Sequence, residues 1–350
     1  MAEKILMKGN EAIAEAAIIA GCRHYFGYPI TPQTEVAAYM AKKMPKIGGT
    51  FLQAESEIAA INMVYGVAST GKRVMTSSSS PGISLKGEGL SYLAGADLPA
   101  LIVNVQRGGP GLGGIQPSQS DYFQATRGAG HGDFHMIVLA PSSVQEMAEL
   151  TVKGFELADT YRMTTMILAD GTMGQMMEPV SLDFEVKEAP AKPWATTGTK
   201  LERGHNIVNS LFLSPEALEK ENFNRYERYR VIEENETMYE EYLMDDAEIC
   251  IAAFGIAARV AKNAINEARK EGIKVGMIRP ITLWPFPKAP FMKAAEKVKS
   301  IISVELSMGQ MIEDVRLATE CKVPVSLCNR VGGMIPSPEQ VLEAIRNAQK

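Results

Sequence analysis

The chain has 350 residues, of which 46% are hydrophobic and 22% are charged, and its formal net charge is −5. This is the composition of an ordinary globular protein of about two domains. The acidic balance argues against a nucleic-acid partner, because nucleic-acid-binding proteins usually present a basic face. No apolar run is long enough to cross a bilayer and no N-terminal leader is recognisable, so the sequence predicts a cytoplasmic protein without membrane contact.

Short apolar runs alternate with helical patterns from residue 8 to about residue 170. The predicted strands of this part are 24–27, 50–53, 73–77, 100–106, 136–140 and 164–169. The predicted helices between most of them are 32–44, 57–70, 83–94 and 143–159. Strands separated by helices of this length predict an α/β fold, in which a mostly parallel sheet carries helices on both faces.

The sequence divides into three parts. Residues 1–185 form the first predicted domain. Residues 186–246 carry prolines and a run of charges and are predicted to be a connector with some helix. The alternation then resumes, with strands predicted at 249–254, 275–278 and 301–305 and helices at 257–271 and 338–349. Residues 247–350 are therefore predicted to be a second, smaller α/β domain.

The ligands of a metal site are sparse. The four cysteines are Cys22, Cys250, Cys321 and Cys328, and no two of them form a Cys-x-x-Cys pair. This spacing fits neither an iron–sulfur cluster nor a structural zinc ion. The histidines of the segment 131–135 lack further ligands nearby in the sequence. The sequence therefore predicts no metal site in this chain, and any electron-carrying cluster would belong to other chains.

The loop that precedes the second predicted helix has the sequence Gly-Tyr-Pro-Ile-Thr-Pro-Gln-Thr-Glu, residues 27–35. Pro29 and Pro32 each fix a φ angle and so stiffen the backbone that presents Thr31. A threonine followed by proline at the first helical position is also a favoured helix start. A hydroxyl at a helix N-terminus is suited to an anionic ligand, so the capping and binding interpretations are compatible.

A second acidic motif begins the third predicted helix, where the extended segment 50–53 is followed by Glu55-Ser56-Glu57. Small residues follow Glu57, with Ala59-Ala60 in the next turn and Gly66 nine positions on, and they would allow a flat ring to approach. Acids are also favoured in a first helical turn by the helix dipole and by capping. Glu55 is the rival for any catalytic role of this motif.

These motifs resemble the α subunit of the 2-oxoacid:ferredoxin oxidoreductases, which are thiamine-diphosphate enzymes that oxidise 2-oxoacids to acyl-CoA. The string Tyr28-Pro29-Ile30-Thr31-Pro32 is a hallmark of that family, and the resemblance covers nearly the whole chain. The chain looks most like the separate-subunit type that acts on 3-methyl-2-oxobutanoate (ketoisovalerate). The resemblance implies a thiamine pyrimidine-binding domain at 1–185. It also implies a transketolase C-terminal-like domain at 247–350, which contains the matching segment 279–287.

The resemblance assigns roles to individual residues. It implies that Glu57 activates the cofactor, while Thr31 and Arg107 bind the carboxylate of the substrate. Arg107 stands before a glycine-rich loop at 108–114, where a bidentate contact with a carboxylate is feasible, although an arginine that bridges subunits is the alternative. The implied cofactor-binding residues are Tyr28, Pro29, Ile30, Glu57 and Ser80. Ser80-Pro81-Gly82 resembles a turn of the family, and a capped strand-to-helix turn explains it almost as well.

The Gly-Asp-Gly segment through which thiamine enzymes bind the metal of the diphosphate is missing, since the string 130–133 does not fit it. The resemblance therefore implies a β subunit that supplies the diphosphate site, Mg²⁺ and iron–sulfur clusters. It further implies a γ subunit, a small ferredoxin-like subunit, ferredoxin as acceptor and coenzyme A as cosubstrate. Without these partners the chain is expected to be able to form a homodimer.

Several alternatives remain open at this stage. The same enzyme type could act on 2-oxoglutarate or pyruvate. A non-oxidative thiamine lyase or a transketolase-like half-enzyme would need no ferredoxin. A non-catalytic scaffold would use the α/β domains only to bind a partner.

Overall fold

The computed structural model of the protein describes residues 4–349. Its strands are β1 (Lys4–Lys8), β2 (His24–Gly27), β3 (Thr50–Gln53), β4 (Val74–Ser78), β5 (Ala100–Gln106), β6 (Ile137–Leu139), β7 (Thr164–Asp170), β8 (Met177–Ser181), β9 (Tyr239–Tyr242), β10 (Ile249–Ala253), β11 (Val275–Pro280), β12 (Thr282–Trp284), β13 (Ser300–Glu305) and β14 (Val325–Asn329). The predictions for β2, β3 and β5 match the observed bounds, and the α/β class is confirmed.

The helices of the same residues connect these strands. They are α1 (Gly9–Ile19), α2 (Thr34–Lys43), α3 (Glu57–Ser69), α4 (Ser80–Gly95), α5 (Tyr122–Thr126), α6 (Val144–Tyr161), α7 (Gly171–Gln175), α8 (Pro215–Asn235), α9 (Gly255–Lys270), α10 (Lys288–Ala295), α11 (Met311–Ala318) and α12 (Pro338–Asn347), with a 3-10 turn at Met44–Ile47. Within the described range, no helix combines the length and the apolar character that a bilayer crossing requires.

The larger sheet has seven strands in the order β12-β6-β7-β5-β4-β2-β3. All of its pairings are parallel except that of β12 with β6. Strands β4, β5 and β7 are buried along their whole length, as expected for the centre of a parallel sheet. Helices α3 and α4 pack on each other, as do α1 and α6. The carboxyl ends of the parallel strands share one edge, which is where ligands of such sheets bind.

The smaller sheet has five strands in the order β14-β13-β10-β11-β9. Its pairings are parallel except that of β9 with β11. Helix α9 turns its alanine-rich face inward and packs on α12, which follows from apolar residues at helical spacing. Strands β1 and β8 form a separate antiparallel pair.

Two elements connect the sheets. Strand β12 follows β11 of the smaller sheet directly but pairs with β6 of the larger one. Helix α8 packs beside it, with the rings of Tyr229 and Trp284 5.2 Å apart between centroids. His135 stacks on Trp284 at 4.7 Å, so the loop before β6 joins the same aromatic group. The two sheets are therefore joined by packed side chains as well as by the chain itself.

Candidate active site

Glu57 occupies the first turn of α3 and is 5% exposed. The hydroxyl of Ser56 caps this helix by accepting a hydrogen bond from the amide of Ala59 at 3.2 Å. Among residues 4–349, no side chain or backbone group hydrogen-bonds or ion-pairs with the Glu57 carboxylate. The rival Glu55 is exposed to solvent. A carboxylate in a nearly buried residue gains from a hydrogen-bond donor, so Glu57 is suited to a ligand that brings one.

Gly82 of α4 lies directly against this carboxylate. A Cβ atom added there would stand 2.7 Å from Oε1 of Glu57 and 2.0 Å from Oγ of Ser78, so any larger residue would displace one of these side chains. The hydroxyls of Thr76, Ser78 and Ser79 are buried, and none has a hydrogen-bond partner within the described part of the chain. The surroundings of Glu57 are thus narrow and contain several unpaired polar atoms.

Thr31 lies in the exposed loop between β2 and α2, not at a helix cap. The predicted capping role of Thr31 is wrong, because the chain turns at Pro32 and the helix begins at Thr34 with Gln33 in the N-cap position. Gln33 is buried, accepts a hydrogen bond from Ser77 Oγ at 2.5 Å and donates one to the carbonyl of Tyr28 at 3.2 Å. Sequence analysis missed Gln33, which anchors the loop; within residues 4–349 the Thr31 hydroxyl has no hydrogen-bond partner.

The three residues before Thr31 have different degrees of exposure. Tyr28 and Pro29 are exposed, whereas Ile30 is half-buried. Together they form a stiff, partly apolar ledge at the carboxyl end of β2. An exposed apolar ledge of this kind can contact a flat ring or a partner protein.

Arg107 directly follows β5 and is largely buried. Its Nη1 donates to the carbonyl of Thr31 at 3.0 Å, and its Nη2 donates to the carbonyl of Leu112 at 3.2 Å. Its Nε is buried and has no partner among the described residues. The guanidinium is therefore fixed within this chain and retains donor capacity for an anion.

Ser80 connects Arg107 to a carboxylate that sequence analysis did not single out. The Ser80 hydroxyl donates to Oδ2 of Asp121 at 2.6 Å and accepts from the amide of Arg107 at 3.1 Å. Asn104 donates to the same oxygen of Asp121 at 2.9 Å. Burial raises the pKa of the Asp121 carboxyl, and the hydrogen bonds from Ser80 and Asn104 partly oppose this rise. No motif marks Asp121, because its partners lie far away in the sequence.

Two cavities lie near the segment after Arg107, one lined by residues 108–111 and the other by residues 115–117. The larger has a volume of about 710 Å³ and the smaller about 530 Å³. Residues of both sheets line the larger cavity, among them Ser80, Pro81, Leu85, Arg107, Asp121, Leu306, Met308 and Gln310. Thr31 and Gln116 line the smaller one. Arg107, which lines the larger cavity, thus donates a hydrogen bond to Thr31, which lines the smaller one.

The smaller sheet holds the segment that carries Asp121. Gln119 donates to the carbonyl of Phe254 at 2.9 Å and accepts from the amide of Leu306 at 3.0 Å. Gln310 donates to the carbonyl of Ser120 at 2.8 Å. The position of Asp121 therefore depends on contacts from both halves of the chain.

The described residues contain no group of three or more histidine, cysteine, aspartate or glutamate side chains arranged to bind a metal ion. Cys22 and Cys250 are buried, Cys328 is half-buried and Cys321 is exposed. Burial raises the pKa of both Cys22 and Cys250 to about 12, which makes these two thiols unreactive near neutral pH.

A family model described as pyruvate flavodoxin/ferredoxin oxidoreductase, thiamine diphosphate-binding, matches residues 15–241, and one described as pyruvate:ferredoxin oxidoreductase core domain II matches residues 247–341. The chain belongs to this oxidoreductase family. The ketoisovalerate oxidoreductase subunit VorB of Methanothermobacter thermautotrophicus is 53% identical over 342 residues, which cover 97% of each chain.

Two solved structures place the family's fold in context. The 2-oxoglutarate:ferredoxin oxidoreductase of Magnetococcus marinus, solved with 2-oxoglutarate, coenzyme A and succinyl-CoA, matches with a TM-score of 0.88 and 30% identity. The match covers 100% of this chain and 66% of that chain. A split-gene transketolase, in an inactive tetramer, matches with a TM-score of 0.64 and 14% identity over 98% of both chains. This second likeness concerns the fold alone.

Proposed function

We propose that this chain is the α subunit of a thiamine-diphosphate-dependent 2-oxoacid:ferredoxin oxidoreductase. The complex would convert 3-methyl-2-oxobutanoate to acyl-CoA and CO₂ and pass the electrons to ferredoxin. One observation carries the proposal. The buried carboxylate of Glu57 faces Gly82 and has no partner within the described residues. The identity with VorB supports the choice of ketoisovalerate over other 2-oxoacids.

The surroundings of Glu57 fit the aminopyrimidine ring of thiamine diphosphate. The carboxylate can share a proton with a ring nitrogen, and the missing side chain at Gly82 keeps that carboxylate accessible. Tyr28, Pro29 and Ile30 offer the ledge for the ring. When bound, the cofactor supplies the nucleophilic carbon that attacks the 2-oxo group. The task of this chain is then to orient the ring and to hold the proton at Glu57.

Arg107 and Thr31 are the proposed residues for the substrate carboxylate. The buried Nε of Arg107 has no partner within residues 4–349, and Thr31 lies exposed before the N-cap residue Gln33, so its hydroxyl does not cap α2. Ser80 contributes by holding the backbone of Arg107 through its hydroxyl, in addition to its place in the cofactor turn. Orientation by a fixed guanidinium is effective because it lowers the entropy cost of reaching the reactive geometry.

The lining of the larger cavity favours an aliphatic 2-oxoacid. Pro81, Leu85, Leu306 and Met308 provide apolar surface, and Arg107 is the one cation among the lining residues that the structure describes. A second carboxylate, as in 2-oxoglutarate, would meet Asp121 there without a cation to pair with it. This argument supports ketoisovalerate, or pyruvate with a looser fit.

The proposed partners follow from what surrounds the cavities. Large apolar side chains are exposed at their edge, namely Leu85, Leu112, Ile115, Met308 and Met334. Several exposed large apolar side chains in one region favour a protein interface. We assign it to a β subunit that carries the diphosphate site, Mg²⁺ and iron–sulfur clusters, with γ and small ferredoxin-like subunits completing the complex. Coenzyme A would reach the site of the assembled enzyme, and the cytoplasm is the proposed location.

The domain division at 1–185, 186–246 and 247–350 is part of the same proposal. The family models that end at residue 241 and begin at residue 247 support a boundary near residue 246. The smaller sheet supports a second domain, although β12 pairs with β6 of the larger sheet.

The decisive experiment compares Glu57→Gln with Glu55→Gln in the complex reconstituted from this chain and its partner subunits. Viologen reduction that depends on coenzyme A is measured with 3-methyl-2-oxobutanoate, 2-oxoglutarate and pyruvate. We expect Glu57→Gln to lower turnover by about 100-fold or more, because it removes the group that exchanges the proton, and Glu55→Gln to leave it unchanged. Full activity of Glu57→Gln would refute the catalytic assignment and favour the scaffold. Product formation without an electron acceptor would favour the non-oxidative enzyme.

A further inference from the structure

Lys86 is a lysine that the proposed mechanism does not use, and it is 0% exposed. It lies on the face of α4 that packs on α3, one helical turn after Gly82. On the same face, a Cβ atom added at Gly89 would stand 2.4 Å from the side chain of Ile61. Small residues thus bring the two helices close together, and they do so on both sides of a buried cation.

The ammonium of Lys86 is poorly satisfied by hydrogen bonds. Its Nζ lies 3.5 Å from the main-chain carbonyl of Glu57, which is the one acceptor found for it in residues 4–349. An ammonium has three donors, and a lysine kept for stability alone would have them paired. The site therefore lacks the features of a structural ion pair.

Nearby charge explains the buried position of Lys86 better than its hydrogen bonds do. The charged or titratable groups on the described elements around α4 include Glu57, Tyr65, Arg107, Asp121, Arg127, His131, Asp133, Asp170 and Arg225. Of these, Glu57 acts on Lys86 through its charge. Burial lowers the pKa of Lys86 to about 8, and the charge of Glu57 partly opposes this change. Buried titratable groups of this kind cluster at functional sites.

We infer that Lys86 is a positioning residue for Glu57. The Lys86 ammonium supplies the opposing buried charge and holds the first turn of α3, so that the Glu57 carboxylate stays next to Gly82. This inference rests on the proposed role of Glu57. The contribution of Lys86 is lost when its ammonium group loses its proton. The wild-type complex should therefore lose turnover as the pH rises through about 8.

Lys86 is expected to favour turnover but to lower the stability of the folded chain. A lysine with a lowered folded-state pKa binds its proton more weakly in the folded than in the unfolded chain, so it destabilises the fold at neutral pH. Replacement of Lys86 by methionine, which has a similar length and no charge, should raise the unfolding temperature of the full chain at pH 7. A gain in stability together with a loss of function identifies a residue that is retained for activity.

The test uses Lys86→Met, with the exposed Lys72→Met as the matched control. In the reconstituted complex we expect turnover of Lys86→Met to be lower by about tenfold or more, with a KM for the 2-oxoacid within about twofold of wild type. The activity of this variant should not fall above pH 8. Calorimetric titration should show thiamine diphosphate binding weakened by about tenfold. Lys72→Met should behave as wild type in every measurement.

Two results separate this inference from the proposed function. If Glu57→Gln is inactive while Lys86→Met keeps wild-type turnover, pH profile and cofactor affinity, the inference about Lys86 is wrong and the role of Glu57 stands. If Glu57→Gln is active, the inference about Lys86 and the proposed role of Glu57 are both wrong. Should Lys86→Met fail to fold, the pH dependence of cofactor affinity in wild type decides. A decrease through about pH 8 supports the inference, and a flat profile overturns it.

Discussion

The guanidinium of Arg107 donates a hydrogen bond to the main-chain carbonyl of Thr31 at 3.0 Å. The two residues proposed to hold the substrate carboxylate are thus connected within one chain, although 76 positions separate them in the sequence. The same guanidinium reaches the carbonyl of Leu112 and so fixes the glycine-rich loop as well. A substrate would meet a guanidinium that is already oriented, which reduces the entropy lost on binding.

Replacement of Arg107 by lysine should weaken substrate binding although the positive charge is kept. Lysine cannot donate to the carbonyls of Thr31 and Leu112 and to an anion at the same time, because it lacks the planar fork of donors. We expect KM for the 2-oxoacid to rise about 10- to 100-fold, which corresponds to one or two charged hydrogen bonds. Steady-state kinetics with Arg127→Lys as the control measures this, and an unchanged KM would remove Arg107 from the substrate site.

Gly82→Ala should reduce turnover because the new methyl group would collide with Ser78 and with the Glu57 carboxylate. We expect a loss of about 100-fold, since a displacement of about 1 Å at a reacting group has an effect of that order. Gly66→Ala is the matched control: Gly66 is exposed in α3, and a Cβ atom there meets nothing within 4 Å, so the expectation that Gly66 makes room for a ring is not met. This control should gain about 0.5–1 kcal/mol of helix stability and keep its activity. Equal activity of the two variants would contradict the proposed geometry.

Asp170 should make the stability of the chain fall as the pH rises. Burial raises the pKa of Asp170 to about 6, although backbone amides such as those of Thr172 and Met173 lower it. A carboxyl with a raised folded-state pKa binds its proton more tightly in the folded chain. Its stabilising contribution is therefore complete below about pH 4 and is lost as the pH rises through about 6.

Asp170→Asn should remove this contribution and keep an oxygen that can cap α7. Urea unfolding of both chains at several pH values between about 4.5 and 7 measures the difference, and we expect the variant to lose less stability over this range. The same pH slope in both chains would show that Asp170 does not titrate there.

Leu112→Glu should prevent assembly with the proposed β subunit. The Leu112 side chain is 85% exposed at the edge of the cavities, and a charge in an apolar interface is left unpaired. Leu201→Glu is the control, since Leu201 is 98% exposed in a different part of the chain. Co-purification of tagged partner subunits should be lost for the first variant and kept for the second. Normal assembly of Leu112→Glu would place the interface elsewhere.

Local patterns predicted the strands of the larger sheet well, because buried parallel strands are short apolar runs bounded by turns. The antiparallel additions were missed. Strand β12 has three residues, and it pairs with β6 although the two are far apart in the sequence. A strand of this length carries no periodic signal, so its partner is determined by tertiary packing alone.

Sequence patterns likewise identified some residues of the candidate site and missed others. Glu57, Thr31 and Arg107 lie in motifs that can be recognised along the chain. Asp121 and Lys86 do not, because their partners Ser80 and Glu57 are 41 and 29 positions away. One signal for Lys86 was present in the sequence, since it lies at helical spacing from Gly82 on a face of small and apolar residues.

The pairing of β12 with β6 determines where this polypeptide can be divided. A cut after residue 246 would leave β6 as an unprotected border strand, whose free N–H and C=O groups invite pairing with another molecule. A two-piece version would have to retain residues 282–284 together with the first piece, or recruit them from the second by complementation. A division at that point would therefore expose a sheet edge and also separate the residues that line the larger cavity.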